Sequence, residues 1–206
     1  RIESYDISNT NGVDTVGAMV VFNNLKPVKK DYRRFKIKTV DGPDDYASLQ
    51  EMLFRRFKRA KANDPGFSNL PDLILMDGGQ GQVTAAEKVL QAMKISIPVL
   101  GMAKDDSHRT RALVDGTGHE FILTEDPMMF KYCGRIQEEV HRFAIEYHRG
   151  LRNRNSIGSA LDNVKGIGPA KRNALLAHFA SIEEIKNAPV DKLMEVKGIT
   201  KANAQA

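Results

Sequence analysis

The stretch "PDLILMDGGQGQ", residues 71–82, combines a predicted buried strand with a carboxylate at its tip. Leu73 to Met76 form a continuous apolar run of strand length, as expected for a strand that is buried on both faces. Asp77 follows at once, and two glycines follow Asp77. Ligands of α/β proteins collect at strand ends, and glycine permits close approach there. The stretch therefore predicts that Asp77 lies at a functional edge of a sheet.

The segments on either side predict a mixed sheet flanked by helices. Two extended N-terminal segments join at a turn, Asn11-Gly12, and a polar third strand follows within 27–38. A helix follows, opened by Asp44 or Asp45, with an apolar face formed by Tyr46, Leu49, Leu53 and Phe57. After the buried strand, the pattern predicts a helix over 82–93, a strand over 97–103 and short strands within 105–125. A last helix, over 126–151, is capped by Asp126. A hairpin meander that feeds βαβ units is typical of an α/β fold.

Composition limits the function classes. The chain has 206 residues, 41% of them hydrophobic and 28% charged, which is typical of a globular protein. No apolar run reaches the roughly 18 residues of a membrane span, and the single cysteine, Cys133, excludes an intramolecular disulfide. Because Arg1 is not an initiator residue, we expect a fragment or a processed chain. The net charge is +5, and lysines and arginines are clustered at 29–38, 55–61 and 149–154. Clusters of basic residues indicate a polyanionic partner.

A repeat dominates the C-terminal quarter. Val164-Lys165-Gly166-Ile167 recurs 32 residues later as Val196-Lys197-Gly198-Ile199, after a polar, basic segment near 155 that reads as a linker. Glycine turns before helix starts expose backbone N–H groups, and such groups bind phosphate. The pattern resembles two helix-hairpin-helix motifs, which grip the DNA backbone without reading bases. The other interpretation is a glycine turn that serves only packing.

Two acids and a histidine carry the candidate chemistry. Asp6 ends the first predicted strand, so it meets Asp77 if the two strands are neighbours. Hard oxygen ligands of this kind suit Mg²⁺ or Mn²⁺, which can assist phosphodiester cleavage. Glu138, His141 and His148 are three and seven positions apart and share a helix face. Taken alone, strand-end aspartates are more often turn or cap residues, and a helical histidine is more often a packed or surface residue.

The order of several motifs over the whole chain resembles one family. "YDISNTNG", "YRRFKIK", "DLILMDGGQGQ", "EEVHRFAIEYHR" and "VKGIGPAKR" together are similar to the C-terminal half of UvrC, the nuclease of the bacterial UvrABC excision system. The resemblance implies a ribonuclease H-like mixed sheet flanked by helices (1–154), followed by a small all-α helix-hairpin-helix domain (155–206). It also implies a metal-dependent endonuclease that makes the 5′ incision in bacterial nucleotide excision repair.

The resemblance also assigns residues. It implies a catalytic triad of Asp6, Asp77 and His141, with Asp6 and Asp77 as ligands of Mg²⁺ or Mn²⁺. Possible auxiliary residues are Asp45, Glu138 and Glu139, although Asp45 serves equally well as a helix cap. The predicted DNA-contacting residues are Arg33, Arg34, Lys36, Lys104, Arg149, Lys165, Gly166, Gly168, Lys171, Arg172, Lys197 and Gly198.

The implied partners are damaged or bubble-containing double-stranded DNA and UvrB, with UvrA involved indirectly, in the cytoplasm and away from membranes. Two rival functions stay open at this stage. One is a non-catalytic, structure-specific DNA-binding module, in which the sheet is only a scaffold. The other is a ribonuclease or a Holliday-junction nuclease on the same fold.

Overall fold

The computed structural model describes residues 1–10, 14–105, 107, 109–162, 164, 166–179 and 182–205, without the side chains of residues 10, 14, 147–160, 162 and 182. The predicted turn at Asn11-Gly12 lies outside these residues. The chain divides into two compact units, Arg1–Ile145 and Glu146–Ala206. The predicted boundary between 154 and 155 stays a prediction.

A single mixed sheet forms the centre of the first unit. Its strands, within the described residues, are β1 (Ile2–Thr10), β2 (Asp14–Asn23), β3 (Lys26–Pro27), β4 (Arg33–Lys36), β5 (Leu73–Met76), β6 (Val99–Lys104), β7 (Thr110–Val114) and β8 (Glu120–Ile122). They lie in the order β3-β2-β1-β5-β6-β7-β8, and β4 also pairs with β2. The polar third strand of the sequence prediction is therefore two short strands, separated by a 3₁₀ turn at Lys29–Asp31.

The central strands are parallel and the outer ones antiparallel. β1 runs parallel to β5, with Tyr5 opposite Met76, and β5 runs parallel to β6, with Met76 opposite Gly101. The pairs β1–β2, β6–β7 and β7–β8 are antiparallel. The predicted α/β fold with a mixed sheet is confirmed, and β1 and β5 are the neighbours that the argument about Asp6 and Asp77 required.

Helices α1 (Asp45–Lys61) and α2 (Gln80–Ala92) precede and follow β5. Asp44 caps α1, since its side chain accepts a 2.9 Å hydrogen bond from the Ala47 amide. Leu49, Leu53 and Phe57 are buried as predicted, whereas Tyr46 is 54% exposed. The apolar stripe of α1 therefore begins one turn later than the sequence pattern indicates.

Helix α3 (Pro127–Asp162) begins where predicted, with the Met128 and Met129 amides donating to Asp126 Oδ1. It does not end at 151, as the sequence indicated. The polar segment that reads as a linker continues the same helix to Asp162. The segment lacks proline, and Gly158 is its only glycine, so nothing in it forces the helix to stop.

A buried ion pair, which the sequence did not reveal, joins β1 to α1. Arg56 and Glu3 are both fully buried, and Arg56 Nε and Nη2 donate to the two carboxylate oxygens at 3.1 and 2.8 Å. Two further Arg56 hydrogen bonds go to the carbonyls of Phe67 and Asn69. Successive side chains of a strand point to opposite faces. Glu3 faces α1, so Asp6, an odd number of residues further on, faces the other side of the sheet.

The second unit is helical and has its own core. Its elements beyond α3 are α4 (Pro169–His178), α5 (Ile182–Asn187), α6 (Val190–Met194) and α7 (Lys201–Ala204). The core includes Leu161, Leu175, Phe179 and Leu193. Among the described residues, no helix combines the length and the apolar character that crossing a bilayer requires.

Candidate active site

The ends of two parallel strands bring the predicted acids together. Asp77 directly follows β5, and its amide donates a 2.9 Å hydrogen bond to the carbonyl of Tyr5 in β1. Asp6 is the next residue of β1, so both carboxylates lie at the same level of the sheet. Their side chains are only 12% and 2% exposed, respectively. The pairing of β1 with β5 is therefore what creates the acidic pair.

His141 reaches this pair from α3. Its Nδ1 lies 3.5 Å from Asp6 Oδ2, and the imidazole is 60% exposed. One potential ligand atom from each of Asp6, Asp77 and His141 lies within 4.8 Å of the other two. Within the part of the chain that the structure describes, this is the only such group of three acid, histidine or cysteine side chains.

The donor set fits a divalent cation. Two carboxylates supply the oxygens that Mg²⁺ and Mn²⁺ prefer, and a neutral imidazole can add a nitrogen. Asp77 Oδ1 is buried and has no aligned hydrogen-bond donor among the described residues, although Lys104 Nζ lies 2.9 Å away as an ion-pair partner. A buried carboxylate oxygen with lone pairs to spare is suited to a metal ion.

Burial and like charge both disfavour ionisation of the acidic pair. Burial raises the pKa of Asp6 from 3.8 to about 7, and the nearby Asp77 carboxylate acts in the same direction, while His141 and Lys104 oppose the rise. Desolvation and a like charge both disfavour an ionised carboxyl group. The two acids therefore repel each other, and a bound cation would relieve that repulsion.

Two residues of the β4 region hold the turn of α3 that carries His141. Tyr32 Oη donates a 3.0 Å hydrogen bond to Glu139 Oε1, and the Tyr32 ring meets Phe143 edge to face at 5.1 Å. The Arg34 guanidinium lies 3.8 Å from the centre of the Phe143 ring and donates to the Phe143 carbonyl. Because Glu139 and Phe143 flank His141 in sequence, these contacts fix the imidazole over the sheet edge.

Among the described residues, the group of ligand atoms within 4.8 Å of one another does not include the predicted auxiliary acids, whose auxiliary roles stay predictions. Asp45 Oδ1 accepts a 2.5 Å hydrogen bond from Asn9 Nδ2, while the neighbouring Asp44 is the helix cap. Glu139 is bound by Tyr32 and Arg142. Glu138 is exposed and lines a groove beside His141. The side chain of His148, which was expected on the same helix face, lies outside the described residues.

Comparisons with known proteins identify the family of the first unit. The family described as "UvrC RNAse H endonuclease domain" matches residues 1–145. The chain belongs to this family. A second family, "SAM-like Helix-hairpin-helix tandem", matches residues 158–206.

Curated relatives match along the whole chain. UvrABC system protein C of Alkaliphilus oremlandii is 50% identical over 217 residues, which cover 100% of this chain and 35% of that protein. The same protein of Lachnospira eligens is 51% identical over 211 residues, covering 100% of this chain and 34% of the relative. The chain therefore spans about a third of the length of the UvrC proteins that it matches.

Solved structures are matched more distantly. Human ENDOV has 12% sequence identity and a TM-score of 0.35, over 68% of this chain and 84% of that one. A Ciona intestinalis Endonuclease V, solved with a 24mer DNA containing an inosine followed by a ribo-adenosine, has 17% identity and a TM-score of 0.36. That match covers 51% of this chain and 46% of the other.

The predicted DNA-contacting residues of this UvrC-family unit differ in how many contacts their side chains make within the protein. Arg33 donates to the carbonyls of Lys30, Tyr32 and Gly66, and Arg34 lies on Phe143, so both guanidinium groups already have protein partners. Lys36 is exposed. Lys104 pairs with Asp77 and is 34% exposed. The side chain of Arg149 lies outside the described residues, and the DNA contacts of all five stay predictions.

The two predicted hairpins have matching backbones. Gly166 and Gly198 have positive φ angles of 85° and 89°, which other residues rarely adopt. The amides of Ile167 and Ile199, which follow them, donate to the carbonyls of Val164 and Val196 at 3.1 and 3.0 Å, and both isoleucines are buried. The repeat at a spacing of 32 is therefore a structural repeat.

One hairpin lysine is engaged within the protein. Lys171 Nζ donates to the Gly166 carbonyl at 3.0 Å and to Asn203 Oδ1 at 2.7 Å, which ties the first hairpin to α7. Of the other predicted contacts, Gly168 is exposed and precedes α4, Lys197 and Gly198 are exposed, Arg172 is half-buried with a partner of its own, and Lys165 lies outside the described residues.

Sequence reasoning missed Tyr32, Phe143 and the link of β7 to α3. In that link, the amide and the hydroxyl of Thr110 both donate to Gln137 Oε1. Tyr32 and Phe143 look like ordinary core aromatics in a sequence, and only their contacts on either side of His141 distinguish them. The one available signal was the position of Phe143, two residues after the histidine.

Proposed function

We propose that this chain is a metal-dependent DNA endonuclease that makes the 5′ incision in bacterial nucleotide excision repair, as part of the UvrABC system. The observation that carries the proposal is the convergence of Asp6, Asp77 and His141, with ligand atoms within 4.8 Å of one another. Membership of the UvrC endonuclease-domain family supports a phosphodiester as the bond that is cleaved.

Asp6 and Asp77 would hold Mg²⁺ or Mn²⁺, with His141 either as a third ligand or as a proton carrier. When bound, the cation supplies positive charge that stabilises developing charge on the phosphate and activates water. The sheet contributes rigidity, since both acids sit on paired central strands. Burial of the carboxylates excludes bulk water, which strengthens the electrostatic interactions of the site.

Lys104 and His141 are the partly exposed side chains at the acidic pair, so both can reach a bound substrate. The Lys104 ammonium lies 2.9 Å from Asp77 and is one third exposed, so it can also contact a phosphate oxygen. The His141 imidazole is 60% exposed, so it can give a proton to, or take one from, an oxygen of the substrate. Asp6 then orients the imidazole through Nδ1.

The second unit supports DNA as the substrate. Its two glycine turns are exposed at Gly166 and Gly198, as phosphate binding by backbone amides requires. We propose damaged or bubble-containing duplex DNA as the substrate. We propose UvrB as the partner that holds the DNA, with UvrA involved indirectly, which the name UvrABC of the relatives supports.

The test is a nicking assay on end-labelled lesion duplex, bubble duplex and RNA–DNA hybrid, with Mg²⁺ or Mn²⁺ and with EDTA, alone and on a UvrB–DNA complex. We expect metal-dependent incision on the 5′ side of the lesion or bubble. Asp6→Asn should abolish it and leave DNA binding intact, whereas the exposed-acid control Asp41→Asn should cleave normally.

The other outcomes are equally informative. DNA binding that persists without cleavage under every condition would support a non-catalytic module. Preferred cleavage of the hybrid would support a ribonuclease. Nicking that survives in purified Asp6→Asn protein would refute the assignment of the site.

A further inference from the structure

A groove runs away from the triad along α3. Its volume is about 690 Å³. One wall is the face of α3 from Phe130 to His141, and the other is formed by Lys104, Arg109 and Thr110 at the facing ends of β6 and β7. Because Lys104 and His141 line one end, the groove opens directly onto the candidate active site.

The described charges of this groove are mainly positive. Lys131 and Arg135 are exposed, and neither forms an ion pair or a side-chain hydrogen bond with any other residue in the described part of the chain. Arg109 pairs with Asp105 at 3.3 Å. Glu138 is the one acid among the described lining residues. Two unpartnered cations beside a candidate nuclease site are suited to phosphates of the substrate.

Gly134 gives an independent indication. It lies between Lys131 and Arg135 in the interior of α3, where glycine is among the least favourable residues. A methyl group built at this position would meet no atom within 4 Å apart from its chain neighbours and the adjacent backbone of its own helix. Packing of the protein therefore does not require glycine here, and the absent side chain keeps the groove open down to the helix backbone.

We infer that this groove holds the DNA strand next to the scissile phosphate, with Lys131 and Arg135 on its phosphates and its backbone close to α3 at Gly134. The inference rests on the proposed function and adds residues that neither the sequence patterns nor the family resemblance pointed to. From His141 to Lys131 the helix rises about 15 Å. A strand of B-form DNA carries one phosphate per about 3.4 Å of helix axis, so the groove spans about four phosphates.

The first test is the salt dependence of DNA binding, measured by fluorescence anisotropy with a bubble duplex in EDTA. Each lost phosphate contact lowers the slope of log affinity against log salt by about 0.7 to 0.9. The double variant Lys131→Gln/Arg135→Gln should therefore lower the slope by about 1.4 to 1.8. The matched control, Lys26→Gln/Lys88→Gln, removes two exposed charges on β3 and α2 and should leave the slope nearly unchanged.

Charge-retaining substitutions separate contact from misfolding. Lys131→Arg/Arg135→Lys should restore most of the slope. Equal slopes for the wild type and the Lys131→Gln/Arg135→Gln variant, or equal losses in that variant and the control, would overturn the inference.

The second test substitutes Gly134, where alanine should increase thermal stability and a larger side chain should decrease the affinity for DNA. Gly134→Ala should raise the thermal midpoint of unfolding by about 2–4 °C, because alanine favours the helix. Gly134→Leu fills the groove and should weaken DNA binding about ten- to hundredfold, as overpacked contacts do. Wild-type affinity in Gly134→Leu would overturn the close approach.

These measurements are independent of cleavage. If the wild type binds with the expected slopes but never nicks DNA, the proposed function fails, and the groove assignment stands only as a DNA-binding surface. If the wild type nicks DNA while the Lys131→Gln/Arg135→Gln variant keeps the wild-type slope, the groove assignment fails alone.

Discussion

Replacing Asp6 by asparagine should stabilise the metal-free protein. The pKa of Asp6 is raised from 3.8 to about 7 by burial and by Asp77, so the folded state holds the Asp6 proton more tightly than the unfolded chain does. The contribution of the protonated Asp6 side chain to the free energy of unfolding is therefore fully present below pH 3.8, and it is lost as the pH rises through about 7. A difference of about three pKa units corresponds to about 4 kcal/mol at pH 8, at 1.36 kcal/mol per unit.

Asparagine is nearly isosteric but cannot ionise, so Asp6→Asn removes this penalty. The pKa of about 7 already includes the attraction of the carboxylate to His141 and Lys104. Because the buried amide carries a desolvation cost of its own, we expect a net gain of about 1 to 4 kcal/mol at pH 8 in EDTA. The gain should shrink as the pH falls toward 4. Asp41→Asn, at an exposed position, should change the free energy of unfolding by less than about 0.5 kcal/mol.

The assay is urea unfolding followed by tyrosine fluorescence. The chain lacks tryptophan, and four of its five tyrosines lie in the first unit, so the signal reports mainly on the unit that contains Asp6. Adding Mg²⁺ at 100 times its dissociation constant should stabilise the wild type by about 2.7 kcal/mol and Asp6→Asn by much less. The reasoning is refuted if Asp6→Asn is no more stable than the wild type at pH 8 in EDTA, or if its gain does not depend on pH.

Three further predictions concern the framework around the site. Arg56→Met leaves the buried Glu3 carboxylate unpaired and should lower the free energy of unfolding by about 3–5 kcal/mol in urea; a smaller loss in the double variant Glu3→Gln/Arg56→Met is expected, and an equal loss would contradict the buried-charge argument. Burial raises the pKa of Cys133 to about 11, so its thiol should resist a disulfide reagent at pH 8 until urea unfolds the protein, and rapid labelling of native protein would show that the residue is accessible. Lys171→Met should destabilise the second unit by about 1–3 kcal/mol through its lost hydrogen bonds, measured by amide hydrogen exchange over 166–179, whereas unchanged exchange there would mean that the lysine does not hold the hairpins together.

Local patterns predicted much of the fold. The apolar run that ends at Asp77 is β5, Asp44 caps α1, and the repeat at a spacing of 32 is a pair of equivalent turns. These predictions hold because strand burial, capping and positive φ depend mainly on nearby residues. The predicted end of α3 at 151 was wrong, because it was inferred from a polar composition. Polar residues indicate solvent exposure, but they do not by themselves break a helix.

The candidate site needed more than local pattern. Strand-end acids are common, and the sequence alone left Asp6 and Asp77 as a conditional pair, while the resemblance to UvrC singled out His141. The role of Tyr32 and Arg34 in holding α3, and the open groove at Gly134, had no local signature. Each depends on which side chains meet across different elements.

The amino-acid sequence by itself determined most of the strands, most helix starts, the paired glycine turns and the two candidate acids. Only the tertiary structure decided that β1 lies beside β5, that α3 crosses their ends, and that two buried carboxylates and an imidazole meet within 4.8 Å. The physical reason is that secondary structure follows from short-range sterics and burial. A shifted carboxyl pKa and a potential metal site arise only when charges distant in the chain are desolvated together.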